Sequence, residues 1–230
     1  MLGRLIKVSV VALGAGLVVA GCSSSPVKMG AAAIVGDQRI TLATLDNEVT
    51  SLSRAAKLYP GTVQLSQEQA VQQTLTWLVR FKINDELARR AGITVTTAQA
   101  QQALDQIYSA AKANAQAQGI SNVTLKLILV ANGIPPNLAS QVGRYQAIDD
   151  QFVRRANGGK LPTTSADQTA TTDKLNQARC VAAKALKIQI NPQFGRLNYA
   201  QYAIVAAPGS VSASAGPAKA TSKQGLTPAC

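Results

Sequence analysis

Residues 32–41, Ala32-Ala33-Ile34-Val35-Gly36-Asp37-Gln38-Arg39-Ile40-Thr41, set the frame for everything that follows. A short apolar run reaches a Gly-Asp turn and then resumes, which predicts a small β-hairpin or a bent strand. Thr41 is placed to cap a helix from Leu42, because a threonine hydroxyl accepts from the first free backbone N–H groups. Leu42, Leu45, Val49 and Leu52 then recur at spacings of three and four, so one stripe of that helix is apolar. Tyr59-Pro60-Gly61 ends it.

The helical pattern continues outward from there. Ser66 with Gln69 forms a capping box. Val71, Leu75, Leu78, Val79, Ile83 and Leu87 follow on one side, and Trp77 and Phe81 widen the stripe before Ala91-Gly92 stops it. An apolar face this broad predicts a helix in the middle of the fold. A third helix is expected from Thr96 or Thr97, carrying Leu104, Ile107 and Tyr108 and ending by Gly119. A shorter element opens at Ser121 or Asn122 and closes at Asn132-Gly133. Pro135-Pro136 suits a helix start. The helix that follows runs to about 157–159 with Leu138, Val142, Tyr145, Ile148 and Phe152 facing inward. A last helix spans roughly Ala166 to Leu186 on Leu175, Ala178, Ala182 and Leu186. Beyond it, Pro192 and Gly195 force residues 188–197 to be extended, and Tyr202 to Val205 is one more apolar patch. The predicted fold class is mainly α: a single domain of five to six helices over residues 31–205, with a short N-terminal strand or hairpin. Residues 206–230, mostly Ser, Ala, Gly, Lys and Pro, have the composition of a disordered tail.

The N-terminus is of a different kind. Arg4 and Lys7 precede a run from Val8 to Ala20 in which only Ser9 is polar. That describes a secretory signal peptide, and the run is short of the roughly 20 apolar residues a membrane span needs. Val19-Ala20-Gly21-Cys22 resembles the lipobox of bacterial lipoproteins. The resemblance implies cleavage after Gly21, removing residues 1–21, and lipid on the Cys22 sulfur. Residues 22–30 would be a flexible tether. Two or more acyl chains on one residue make such anchoring stable, so the expected location is the extracytoplasmic face of a cell membrane.

Charge and cysteine usage narrow the partners. The full chain carries 23 Lys+Arg against 11 Asp+Glu, and removal of Arg4 and Lys7 with the signal leaves a formal +10. The basic residues are scattered, without interleaved aromatics, which argues against nucleic acid. Anionic envelope polymers or lipid headgroups are the expected electrostatic surroundings, and the alternative is a solvated basic surface with no dedicated ligand. Cys180 and Cys230 are left after lipidation of Cys22. In an oxidising compartment they are free to form a disulfide, and the alternative is a buried Cys180 thiol beside a free Cys230.

Catalytic constellations are missing from the sequence. The chain has no histidine, which removes Ser-His-Asp and Cys-His nucleophiles and the usual zinc sets. Asp85-Glu86 and Asp149-Asp150 are neighbours, and helical neighbours point about 100° apart rather than converging. Gly158-Gly159-Lys160 lacks the spacing of a phosphate loop, and Leu161-Pro162 follow where Ser or Thr would be needed. No metal ligand set, cofactor or enzyme activity is expected.

Taken with the helix after it, Ala33-Ile34-Val35-Gly36-Asp37-Gln38-Arg39-Ile40-Thr41 resembles the opening of the SurA-type N-terminal chaperone domain. Gly92-Ile93-Thr94-Val95-Thr96 is similar to a helix-linking step of that family. Ile190-Asn191-Pro192-Gln193-Phe194-Gly195 resembles the extended segment after the last helix of SurA-like lipoproteins. The resemblance, from about Ala32 to Leu197, implies a late strand returning to pair with the N-terminal one. It also implies binding of unfolded exported polypeptides. Relatives often add a parvulin prolyl-isomerase module that uses histidines; no span is left for one here. Trp77, Phe81, Tyr108 and Tyr145 are the candidate peptide-binding residues, each also suited to plain core packing. A structural or adaptor lipoprotein that binds one envelope partner is the alternative reading.

Overall fold

The computed structural model describes residues 29–61, 63–206 and 230. The predicted hairpin is present as β1 (Ala31–Val35) and β2 (Gln38–Thr41), antiparallel with Ala33 opposite Ile40 and Val35 opposite Gln38. Gly36 turns the chain at φ +64°, where a side chain would be strained. Its N–H donates to the Leu186 carbonyl at 2.7 Å, and a Cβ there would meet the Leu186 side chain at 3.0 Å. The hairpin turn is thereby docked on the far end of the chain.

Six α-helices are described: α1 (Leu42–Ala56), α2 (Gln67–Ala91), α3 (Thr97–Ala117), α4 (Leu125–Ala131), α5 (Ala139–Ala156) and α6 (Ser165–Ala185). The caps read from the sequence are formed. Thr41 accepts from the Thr44 N–H at 3.0 Å, the Ser66–Gln69 and Thr96–Gln99 boxes are both reciprocal, and Gly92 ends α2 in the left-handed conformation. Two boundaries differ from expectation. α4 starts later, because Thr124 rather than Ser121 or Asn122 supplies its capping hydroxyl. A 3-10 turn, Pro136–Leu138, starts at the second proline and leads into α5. The mainly helical class is as predicted.

The central helix is α2. Leu75, Val79, Ile83 and Leu87 are almost fully buried, and each contributes about 1.5–3 kcal/mol by leaving water. α1, α5 and α6 pack around α2, while α3 lies along α5. The α3–α5 approach depends on Gly143: a Cβ there would stand 2.2 Å from the Ala100 carbonyl oxygen.

After α6 the chain becomes extended, as β3 (Gln189–Ile190), β4 (Arg196–Asn198) and β5 (Ala203–Val205). β3 pairs with β1, Ala33 opposite Ile190 and Ile34 opposite Gln189, so the sheet order is β2-β1-β3. That is the returning strand implied by the resemblance. Asn191 strengthens it, its backbone donating to Ala32 and its side chain to Ala31. The apolar patch at 202–205 belongs to a feature the sequence did not announce, a β4–β5 hairpin lying against α2.

Candidate functional site

On α2 the residues Trp77, Arg80, Phe81 and Asn84 fall at i, i+3, i+4 and i+7, so helical geometry puts them on one face. The same spacing puts Tyr145 and Asp149 together on α5, and Asn176 and Arg179 together on α6. Trp77, Phe81 and Tyr145 form an aromatic cluster with ring centroids 5.7, 6.0 and 6.0 Å apart, both Tyr145 contacts edge-on. Two guanidiniums cover it: Arg80 is 5.2 Å from the Trp77 ring centre and Arg179 is 4.8 Å from that of Tyr145. Such stacking is worth about 0.5–2 kcal/mol each, more where water is excluded.

A polar network ties these groups down. Arg179 donates to the Asp149 carboxylate through Nη2 and to Asn84 Oδ1 through Nε at 3.4 Å. Asn84, 1% exposed, donates to the Tyr145 carbonyl at 3.0 Å. Burial pushes the Asp149 carboxyl up and the Arg179 charge pulls it down, with burial the larger influence. Burial likewise raises the Tyr145 phenol. At Arg80, burial is the main cause of a lowered proton affinity, and the like charge of Arg179 acts in the same direction.

The β4–β5 turn supplies the opposite wall. Arg80 donates from Nε to the Tyr202 carbonyl at 2.9 Å and from Nη2 to the Gln201 carbonyl at 3.0 Å. The Tyr202 hydroxyl donates to the Asn176 carbonyl at 2.9 Å, while its backbone sits at φ +47°. Between turn, α2, α5 and α6 lies an open pocket of about 790 Å³, bordered by Arg80, Tyr145, Arg179, Tyr199, Tyr202 and the Cys180–Cys230 disulfide.

A second concavity, of about 390 Å³, is apolar. Leu42, Leu45 and Val49 of α1, Val71 of α2 and Phe194 line it, with Asp46 its one ionisable neighbour. Leu42 is 37% exposed and so departs from the buried stripe expected of it. Phe194 ends a 3-10 turn, Pro192–Phe194, that follows β3 where the sequence predicted extended chain, because Pro192 tolerates the first position of a short helical turn. The β1–β3 pairing is what brings it to α1.

A family model described as "SurA-like N-terminal domain" matches residues 3–138. The chain belongs to the SurA-like N-terminal domain family. No curated protein and no solved structure gave a match. The matched stretch of this SurA-like domain contains α1 and the α2 wall of the apolar groove. It ends before α5, so the Arg–Tyr pocket is built largely from residues beyond it.

The SurA-like domain disposes of the candidate residues unequally. Trp77 and Tyr145 are half-buried, and Trp77 donates from Nε1 to the Asn132 carbonyl at 3.3 Å. Phe81 is 5% exposed, which leaves it almost no surface to offer a ligand. Tyr108 stands apart on α3, donating to the Val123 carbonyl at 3.2 Å with Lys112 above its ring. Arg80, Arg179, Tyr199, Tyr202 and Phe194 were not singled out from sequence. Arg80 was legible as the i+3 neighbour of Trp77; the rest depend on long-range packing. Cys22 and its lipobox lie outside the described residues. Among the described residues no group of three or more His, Cys, Asp or Glu side chains is placed to hold a metal, and no helix is long and apolar enough to cross a membrane.

Proposed function

We propose that this SurA-like chain is a lipid-anchored, ATP-independent chaperone-type factor. It holds extended apolar stretches of unfolded exported polypeptides at the extracytoplasmic face of a membrane, without prolyl isomerisation. The observation that carries the reading is the apolar groove between α1, α2 and Phe194, set within the family-matched region except for Phe194. A groove of this kind suits weak, reversible burial of a few apolar side chains, at about 25 cal/mol per Å² removed from water. The lipobox at residues 19–22 supports the tether, and the formal positive charge suits an anionic envelope surface. The absence of histidine supports the lack of isomerase chemistry.

The test is suppression of aggregation of a reduced, unfolded client by the full chain held in lipid nanodiscs. Suppression at a few-fold molar excess is expected. It should fall severalfold in Leu42→Asp and Phe194→Ser variants that retain native circular dichroism. No suppression by the folded wild type, together with capture of one folded envelope protein, would replace this reading with that of an adaptor lipoprotein.

A further inference from the structure

The Arg80–Arg179 pocket has features that core packing does not require. Both guanidiniums open into one cavity, and Asp149 offsets only Arg179. Among the described residues Arg80 has no acidic partner; its Nε and Nη2 go to neutral carbonyls, and its Nη1 bonds to nothing. Arg179 likewise uses Nε and Nη2, and among the described residues its Nη1 has no partner. Like charges held together in partly buried surroundings repel. At Arg80 burial is the main cause of a lowered proton affinity, with the Arg179 charge adding to it and Tyr145 opposing it. An anion between them would relieve that repulsion and take up the free N–H groups. Tyr145, Tyr199 and Tyr202 also line the pocket.

The wall opposite the guanidiniums is a strained one. Tyr202 adopts φ +47°, a left-handed conformation that is unfavourable for a residue with a side chain. Arg80 and the Asn176 carbonyl hold it there. The volume of about 790 Å³ falls within the roughly 300–1,000 Å³ of sites that take small ligands.

We propose that this pocket receives a carboxylate of the bound polypeptide, from an Asp or Glu side chain or from its C-terminus, in the fork between Arg80 and Arg179. The inference rests on the polypeptide-binding reading and adds to it a preference for acidic segments. Guanidinium–carboxylate pairing is planar and directional, so the site would fix register where the apolar groove gives only adhesion.

The chain's single tryptophan, Trp77, lies under Arg80 and reports on the pocket. The full chain in zwitterionic nanodiscs is titrated with dye-labelled apolar peptides in matched pairs: Asp against Asn inside the segment, and free acid against amide at the C-terminus. Anisotropy gives affinity and Trp77 fluorescence gives occupancy. The acid member of at least one pair should bind at least about fivefold tighter near 0.1 M salt, and which pair does so identifies the source of the carboxylate. Sodium acetate should displace it more effectively than sodium chloride of equal ionic strength. Arg80→Gln should remove the difference between the acid and neutral members.

Equal affinity of acid and neutral members for the wild type would overturn the proposal, as would a difference that survives in folded Arg80→Gln. Displacement by inorganic phosphate alone, with no response to acetate, would also overturn it. The wild-type comparisons stand even if that variant fails to fold. Binding of neither member, with no suppression of aggregation, would instead remove the polypeptide reading itself.

Discussion

The backbone N–H of Ile204 donates to the hydroxyl of Thr76 at 2.9 Å, inside the core. Both residues are nearly inaccessible, at 4% and 7% exposure. Thr76 and its i+4 neighbour Arg80 thus both hold the β4–β5 hairpin on α2, Thr76 at the buried strand and Arg80 at the turn. Without that hydroxyl the Ile204 N–H would be buried and unpartnered.

Thr76→Val keeps the shape of the side chain and deletes the acceptor. It should lower folding stability by about 1–3 kcal/mol, the cost of a buried donor left unpaired. Urea unfolding checks this. A shift below about 0.5 kcal/mol, inside the range of neutral substitutions, would show that the hairpin finds another partner.

Gly143→Ala is predicted to destabilise, although glycine to alanine inside a helix ordinarily gains about 1 kcal/mol. The new Cβ would lie 2.2 Å from the Ala100 carbonyl oxygen, so α3 and α5 must separate. A loss of about 1–3 kcal/mol is expected from such overpacking. The sign of the change in the denaturation midpoint is the decisive reading.

The Cys180–Cys230 bridge has a sequence separation of 50. On the chain-entropy account, closing a loop of that length stabilises by about 4 kcal/mol. Reduction should lower the unfolding midpoint of the wild type accordingly. Cys180→Ser should start at the lower value and not respond to reductant.

Glu86 accepts from Arg89 at 2.7 Å and from Arg90 at 2.7 Å. The Arg89 hydrogen bond is the largest cause that pulls its carboxyl down from 4.5 to about 2. A carboxyl with a depressed folded-state pKa stabilises above its unfolded value and loses that contribution as pH falls toward the folded one. Glu86→Gln should therefore show a smaller loss of stability than the wild type between pH 4.5 and pH 2. Parallel curves for the two proteins would contradict the ion pair.

The helices and their ends were legible because local physics writes them. Thr41, Ser66, Thr96 and Gly92 act on backbone groups within four residues, so their roles survive any tertiary arrangement. The apolar periods of α2 and α5 likewise announced which faces would be buried. For the aromatic residues local pattern left two readings open, core packing and ligand contact. Periodicity puts Phe81 on a broad apolar face, but only packing decides that Phe81 is covered while Trp77 and Tyr145 are partly buried.

What the sequence by itself determined is the mainly helical class, the boundaries of most helices, the hairpin around Gly36 and the absence of histidine chemistry. These follow from spacing and composition, which need no knowledge of distant neighbours. The tertiary structure alone decided that Phe194 completes a groove with α1, and that Arg80, Arg179 and the Tyr199–Tyr202 turn enclose one pocket. Those groups come from segments up to about 150 residues apart, joined by the β1–β3 pairing and the hairpin against α2. No local pattern encodes which side chains such contacts bring face to face.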